Sequence, residues 1–365
     1  MSLQRTLIAA SIAACLIAGC DRGAGNTAAK ADTQPAAPAP IADVELIPRD
    51  ALFGNPERAN VQISPDGKYL SWVAAVDGVL NVWVSPANDI GKARSVTSDK
   101  ARGIRQYFWS HRPDTLLYLR DTGGDENFHL FSVDLASNQS RDLSNFPNTR
   151  AYVVGVSHLH PESVLVGMND RDPKWHDLYR VDLAGGKRTL VEKNTLELAE
   201  YMVDPDFKVR MAMKSRADGG SDLLAPDGKG GWKIVDEIPF ADSLTTFASG
   251  YTTDGKTQYF VDSRGRDTAA LFAVDTASNA KTLVLENPRV DVGDALRDPS
   301  SNKVQAVAVN YLKEEWKAVD PAIAADLDTL KAIGPGETWV ASRTQDDKTW
   351  IVGYSAAESP AVYYR

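Results

Sequence analysis

The fold is decided by a short turn that repeats along the chain. Its clearest copy is Ser64-Pro65-Asp66-Gly67-Lys68, which fits a type I β-turn with Ser first, Pro second and Gly fourth. Related turns recur at a spacing of roughly 45 residues, between the periods typical of WD40 and kelch propellers. The other turns begin at Arg112, His160, Asp204, Thr253, Asp298 and Gln345. Seven copies of one structural unit are therefore predicted.

Each turn leads into a short apolar segment, such as residues 69–73 and 116–119. Several of these segments do not alternate with polar residues, which favours strands covered on both faces. A further strand pattern recurs at residues 130–135, 178–183 and 271–276. Four strands per unit, repeated radially, predict an all-β, seven-bladed β-propeller with four-stranded antiparallel blades, the last of them incomplete. A Greek-key sandwich is the alternative, but its turns would be irregularly spaced.

One helix is predicted, over residues 321–333, as an insert between the last two blades. Leu327, Leu330 and Ile333 lie three residues apart in it, and Gly334-Pro335-Gly336 ends it.

The first 45 residues predict export and a lipid anchor. A basic Arg5 precedes an apolar run over residues 7–17 that is too short to span a bilayer. The run ends in Ala18-Gly19-Cys20, which resembles a bacterial lipobox. We expect a signal peptide over residues 1–19, lipidation of Cys20, a disordered tether over residues 20–45 and a propeller over residues 46–365. An ordinary cleavage site with a chance Cys is the alternative.

These features predict that the protein lies in the bacterial cell envelope, faces the periplasm and is anchored to a membrane by lipid. The formal net charge of -9 and the pI near 5.2 disfavour nucleic acid as a partner. No cofactor motif is present in the sequence.

Three stretches carry a resemblance to a known family. They are residues 120–127, residues 169–173 with 177–179, and residues 262–268. Together with the repeats they resemble the N-terminal β-propeller of the prolyl oligopeptidase family of serine peptidases, especially its bacterial dipeptidyl-aminopeptidase and acylaminoacyl-peptidase-like branch. The resemblance covers residues 47–365.

In that family an α/β-hydrolase catalytic domain follows the propeller, and the propeller restricts which peptides reach the active site. The resemblance implies that this chain is the non-catalytic propeller region, with a hydrolase domain as its partner and peptides as substrates through that domain. The alternative is a freestanding periplasmic propeller lipoprotein that binds protein or peptide partners.

No catalytic residue is predicted in the chain, because the sequence lacks the Gly-x-Ser-x-Gly elbow of α/β-hydrolases. The nearest approach, Gly353-Tyr354-Ser355-Ala356-Ala357, has Ala in place of the last Gly and is interpreted as a turn between strands. No metal site is predicted either. His158 and His160 would share one strand face, but no third ligand lies nearby.

Six polar residues in the family-like stretches are candidate binding residues. They are Arg120, Asp125, Glu126, Asn169, Arg171 and Arg264. In related dipeptidyl peptidases a blade-two Arg helps to hold substrate, and Arg120 is its possible counterpart. Carboxylates in this loop suit a peptide amine or calcium, but Asp and Gly also simply form turns. We favour interface or blade-stabilising roles over direct substrate contact.

Overall fold

The computed structural model describes residues 46–365. The predicted signal peptide, Cys20 and tether lie outside these residues. The described chain forms seven separate antiparallel sheets, each built from strands that are consecutive in sequence. This arrangement is the predicted seven-bladed β-propeller. A short helix, α1 (Arg49–Phe53), comes before the first strand in the sequence.

The first three blades have four strands each. Blade one contains β1 (Ala59–Ile63), β2 (Tyr69–Val76), β3 (Val79–Pro86) and β4 (Arg94–Ser95). Blade two contains β5 (Gln106–Trp109), β6 (Thr115–Arg120), β7 (His129–Asp134) and β8 (Gln139–Asp142). Blade three contains β9 (Ala151–Gly155), β10 (Ser163–Asp172), β11 (Trp175–Asp182) and β12 (Arg188–Glu192).

Blades four and five also have four strands, whereas blades six and seven have three. Blade four contains β13 (Glu200–Val203), β14 (Val209–Ser215), β15 (Ser221–Pro226) and β16 (Trp232–Ile238). Blade five contains β17 (Phe247–Tyr251), β18 (Thr257–Asp262), β19 (Ala270–Asp275) and β20 (Lys281–Leu285). Blade six contains β21 (Val292–Arg297), β22 (Val304–Asn310) and β23 (Glu314–Ala318). Blade seven contains β24 (Glu337–Arg343), β25 (Trp350–Ala356) and β26 (Ser359–Tyr364).

Blade six differs from the sequence prediction, which gave it four strands. After β23 the chain enters a 3₁₀ turn (Pro321–Ile323) and the helix α2 (Ala324–Lys331), inside the predicted helical insert. Asp320 begins this segment by accepting a hydrogen bond from the Ala322 backbone N–H at 2.9 Å, as an N-terminal cap does. Leu327 and Leu330 are buried against blades six and seven. After β23 the chain therefore forms a helix, whereas in blades one to five the third strand is followed by a fourth.

The apolar core lies between neighbouring blades, because the middle strands are covered on both sides. Leu117 and Leu130 of blade two pack in one buried cluster with Val164 and Val181 of blade three. All four side chains are fully buried. Burial of each such side chain contributes about 1.5–3 kcal/mol, so the non-alternating strand segments supply the contacts that hold blades side by side.

The up-and-down strand order gives the propeller two different faces. The turns between first and second strands, and those between third and fourth strands, all lie on one face, which we name the turn face. The hairpins between second and third strands, and the connections from one blade to the next, lie on the opposite face, which we name the loop face. All seven repeated turns of the sequence therefore lie on the turn face.

Near the turn face, every pair of neighbouring blades is joined by a hydrogen bond. In ring order the bonds are Trp109 Nε1 to Ser71 Oγ (2.9 Å), Arg112 Nε to Glu162 (3.0 Å), His160 Nε2 with Asp206 (3.0 Å), Arg210 to Gly255 O (2.9 Å), Thr253 N to Ser301 O (2.8 Å), Gln345 Nε2 to Pro299 O (2.7 Å) and Gln345 N to Pro65 O (2.7 Å). The ring of blades is thus fastened at all seven junctions on this face.

The seam between blade seven and blade one is closed without a shared strand. In the described part of the chain no strand of one blade pairs with a strand of the other. Instead the Ile63 backbone N–H donates to Ser342 Oγ at 2.8 Å, and the Gln345 backbone N–H donates to the Pro65 carbonyl. Side-by-side packing and hydrogen bonds close the ring.

Candidate functional site

The three family-like stretches all lie on the loop face. Residues 120–127, 169–173 and 262–268 fall at the hairpins between second and third strands of blades two, three and five. The repeated strand order brings these hairpins to one surface, although the stretches are far apart in sequence.

In blade two, the hairpin that contains Arg120 is folded by its own carboxylate. Asp125 Oδ1 accepts hydrogen bonds from the backbone N–H groups of Thr122 (3.2 Å) and Asn127 (3.1 Å), and Glu126 adopts a left-handed backbone conformation with φ of 60°. The Arg120 guanidinium lies over the Phe131 ring, 4.7 Å from its centroid. Asp125 therefore shapes the hairpin, while Arg120 stays partly exposed.

In blade three, Asn169 and Arg171 are both held by hydrogen bonds to other parts of the protein. Asn169 Oδ1 accepts from the Arg150 backbone N–H at 2.6 Å. Arg171 donates two hydrogen bonds of 2.7 Å to the buried Asp177 and a third to the Asn194 carbonyl. Burial alone would raise the pKa of Asp177, but hydrogen bonds from Arg171 and from the Asn194 backbone hold that pKa below its usual range. These two side chains stabilise the blade.

In blade five, Arg264 joins two blades. Its guanidinium donates to Asp262 of the same hairpin at 2.9 Å and to both carboxylate oxygens of Asp236 in blade four at 2.8 and 2.9 Å. Burial would raise the pKa of Asp262, but hydrogen bonds from Arg264 and Lys281 lower it strongly. Arg264 is an inter-blade tie, and its contact with any partner stays a prediction.

A basic pocket that sequence reasoning missed lies beside Arg120. A cavity of about 400 Å³ is lined by Arg102, Arg105, Arg120 and Arg150, together with Asp121 and Tyr152. The four arginines come from the connection between blades one and two, the end of β6, and the connection into β9. Because they share no local spacing, only the topology brings them together.

A second cavity, which we name the axial cavity, shares part of its lining with the basic pocket. That cavity has a volume of about 570 Å³ and extends along the first strands of blades seven, one and two. Arg105, Gln106 and Leu119 line both cavities. The two cavities are therefore neighbours.

The prediction that His158 and His160 share one strand face is wrong. His158 and His160 lie in a turn and not on a strand face. His158 packs edge-on against His111, with ring centroids 5.9 Å apart, whereas His160 stacks on Phe207 at 4.7 Å. Across residues 46–365 no cluster of three His, Cys, Asp or Glu side chains is arranged to hold a metal ion.

Ser355 lies inside strand β25 and not in a turn, which corrects the sequence interpretation of residues 353–357. Its partner in the neighbouring strand is Glu337. Gly353 is required because the Trp339 ring lies directly over it, and a Cβ there would be 2.1 Å from ring atoms. The segment is a regular part of blade seven.

The loop face also exposes large apolar side chains. They are Leu196, Phe240, Leu244, Phe247, Tyr311 and Leu312. Leu244 is 93% exposed and Leu312 is 89% exposed. In the turns of the turn face, the exposed large apolar residues among the described residues are Leu159 and Ile90. None of the helices in residues 46–365 has the length and apolar character needed to cross a membrane.

The chain that forms this seven-bladed propeller is similar over most of its length to two curated dipeptidyl peptidases. The chain is 64% identical over 335 residues to dipeptidyl aminopeptidase BIII of Pseudoxanthomonas mexicana, an alignment that covers 92% of this chain and 49% of that protein. It is 26% identical over 339 residues to dipeptidyl peptidase family member 6 of Caenorhabditis elegans, covering 88% of this chain and 45% of that protein.

The chain therefore spans about half the length of the curated relatives it matches. A solved structure from a study of two prolyl endopeptidases superimposes with a TM-score of 0.59 and 11% identity, over 82% of this chain and 47% of that one. At this identity the superposition shows the shared fold alone. No family model matches the sequence.

Proposed function

We propose that this propeller gates substrate entry for an α/β-hydrolase domain seated on its loop face, as half of a dipeptidyl aminopeptidase. Similarity to dipeptidyl aminopeptidase BIII supports the reaction class. The sequence itself has no Gly-x-Ser-x-Gly elbow, so the nucleophile belongs to the catalytic domain.

The observation that carries the proposal is the unequal distribution of exposed apolar side chains. Phe240, Leu244, Phe247, Tyr311 and Leu312 are exposed on the loop face, and exposed apolar surface of this kind marks a site of interaction. A domain docked there would remove these side chains from water. It would also place its active site over the basic pocket and the axial cavity.

The size of the basic pocket and the axial cavity would restrict which substrates reach the catalytic domain. The cavities of about 400 and 570 Å³ accept side chains and short extended segments, whereas a folded protein is far too large to enter. A catalytic domain over the loop face would thus receive short or unfolded peptides.

The test is a chimera in which this propeller replaces the propeller of dipeptidyl aminopeptidase BIII. We expect the chimera to hydrolyse dipeptidyl chromogenic substrates with kcat/KM within about tenfold of the parent. The double variant Leu244→Asp, Leu312→Asp should lower kcat/KM about tenfold or more, since it introduces charge into the apolar contact.

The matched control is Leu190→Asp, Ile234→Asp, which alters equally apolar but outward-facing side chains of β12 and β16 that are 48% and 55% exposed. It should leave kcat/KM unchanged. A chimera that melts cooperatively and reacts with a fluorophosphonate probe, yet shows no peptidase activity, would contradict the proposal.

We also propose that the protein is exported and anchored by lipid on Cys20, as its first residues indicate. Metabolic labelling with an alkynyl fatty acid should label the wild type and Cys15→Ala but not Cys20→Ala. Labelling that survives in Cys20→Ala would contradict this anchor. Anchoring would hold the peptidase at a membrane surface without spanning it.

A further inference from the structure

The basic pocket carries an excess of positive charge in a protein whose overall charge is negative. Arg102, Arg105, Arg120 and Arg150 line it, while the formal net charge of the chain is -9. Four guanidinium groups around one cavity repel each other unless anions compensate them. The acidic groups nearby therefore decide whether the pocket is already neutralised.

Asp99, Asp121 and Glu200, whose charge acts on Tyr152, lie near the pocket, but none of them forms a hydrogen bond with its arginine side chains. Asp99 is 3.8 Å from Arg120, and Asp121 is 3.8 Å from Arg102, beyond the range of a hydrogen bond. Asp99 Oδ2 already accepts from the backbone N–H groups of Arg102 at 3.0 Å and of Gly103 at 2.6 Å. The Asp99 carboxylate therefore stabilises the backbone of the connection between blades one and two.

The remaining two arginines have no acidic partner within the part of the chain that the structure describes. Arg105 and Arg150 are both exposed, and neither forms an ion pair there. The pKa of His176 is lowered mainly by burial and secondly by the positive charge of the nearby Arg150. Arg105 stands where the pocket meets the axial cavity, so an anion approaching along either space meets an unpaired guanidinium.

Several contacts fix the pocket in place. The Arg120 guanidinium stacks on Phe131. Arg102 lies against Gly124, where a Cβ would be 2.8 Å from Nη1. Tyr152 forms part of the wall, and burial raises its pKa to about 12, so its hydroxyl keeps a proton to donate. These contacts hold Arg102 and Arg120, and a donor that is held in place loses little entropy when it binds a ligand.

We propose that the basic pocket binds a peptide carboxylate, either the C-terminal carboxylate or an Asp or Glu side chain. Guanidinium groups match a carboxylate with two parallel hydrogen bonds, and a cavity of about 400 Å³ holds the end of a peptide or one acidic side chain. The inference rests on the proposed function in taking peptides as the ligands. It names Arg105 and Arg150 as specificity residues, in addition to Arg120.

The test measures binding of labelled peptides to this chain alone by fluorescence anisotropy. Three peptides share one apolar core: one has a free C-terminus and no acidic residue, one has a C-terminal amide and an internal Glu, and one has the amide and no acidic residue. We expect the third peptide to bind about tenfold more weakly than at least one of the others. The stronger of the first two identifies the source of the carboxylate.

The variant Arg105→Gln, Arg150→Gln should lose this preference, while Arg105→Lys, Arg150→Lys should retain part of it. The matched control is Arg289→Gln, Lys348→Gln, which removes the same charge elsewhere; Arg289 lies on the same face over Tyr311. Cooperative melting of each variant verifies folding. Equal binding of all three peptides, or an unchanged preference in the folded Arg105→Gln, Arg150→Gln variant, would overturn the inference.

Because this assay needs no catalytic domain, it separates the two proposals. An inactive chimera with an intact carboxylate preference refutes the gating function alone. An active chimera without any carboxylate preference refutes the basic pocket as a carboxylate site alone.

Discussion

The two faces of the propeller are built from the same seven blades but differ in how their polar and apolar groups are satisfied. On the turn face, short turns join each blade to the next by hydrogen bonds at all seven junctions. On the loop face, longer connections leave apolar side chains exposed and arginines without acidic partners among the described residues. One face satisfies its polar groups internally, and the other keeps surface available for a ligand and a domain.

The difference shows that stability and recognition are separated in space. A substitution on the turn face should act on the free energy of unfolding, and one on the open parts of the loop face should act on binding. The loop face is not uniform, since Arg171 and Arg264 there are tied into the blades. The following predictions test this separation.

The largest effect is expected for Arg343→Met at the turn-face end of blade seven. The Arg343 side chain is 5% exposed and binds Asp347, Gln305 Oε1 (2.9 Å) and the Arg297 carbonyl (3.2 Å). Removing it leaves partly buried acceptors without this donor, so urea denaturation should show a loss of about 3 kcal/mol in the free energy of unfolding.

The loop-face comparison is Arg150→Met, which removes an exposed arginine. Its free energy of unfolding should change by less than about 0.5 kcal/mol. Equal losses in the two variants would mean that the faces do not differ in this way.

A smaller effect is expected from His111 on the turn face, which should make the free energy of unfolding depend on pH. Burial, and then the neighbouring His158, lower the pKa of His111 to about 4. Its unfolded pKa is near 6.5, so its stabilising effect is complete above about pH 6.5 and is lost as the pH falls toward 4. After allowance for partial exposure, the loss is on the order of 2 kcal/mol.

Urea denaturation at pH 7 and pH 4 measures this loss, and His111→Asn should show a smaller decrease than the wild type. A variant whose stability falls as steeply as that of the wild type would rule out His111 as the source.

The smallest effect is expected for Gly124→Ala in the loop-face hairpin of blade two. Gly124 has φ of 88°, and Gly123, the matched control, has φ of 65° with open space around it. Alanine at either position should cost about 1 kcal/mol because of the left-handed backbone. Only Gly124→Ala should also displace Arg102 and weaken binding of the carboxylate peptide severalfold.

Equilibrium denaturation together with peptide anisotropy tests both parts. If Gly123→Ala weakens peptide binding as much as Gly124→Ala does, the contact with Arg102 is not the cause.

The parts of the fold that were predictable are those encoded locally. The turn at Ser64 is set by a Pro, a Gly and a hydroxyl within five residues, and its Gly67 N–H does bond the Ser64 carbonyl at 2.9 Å. The repeated apolar segments likewise predicted the middle strands. The three-stranded form of blade six was missed because the helix α2 occupies the length of chain that a fourth strand would need.

The candidate site was only partly predictable, for the same reason. Arg120 was noticed because it lies in a family-like stretch, whereas Arg105 and Arg150 carry no local signal. They meet Arg120 only through the register of three blades and their connections. Arg171 and Arg264 were candidates from sequence, and their ion partners Asp177 and Asp236 became visible in the structure.

The seam between blades seven and one has a consequence for how the molecule is assembled. Every sheet is made from one contiguous piece of chain, so each can form from residues that are close in sequence. Closing the ring requires contacts between groups such as Ile63 and Ser342, which are 279 residues apart. Long-range contacts slow the folding of many β proteins. In this propeller the contacts that span the whole sequence are confined to the seam between blades seven and one.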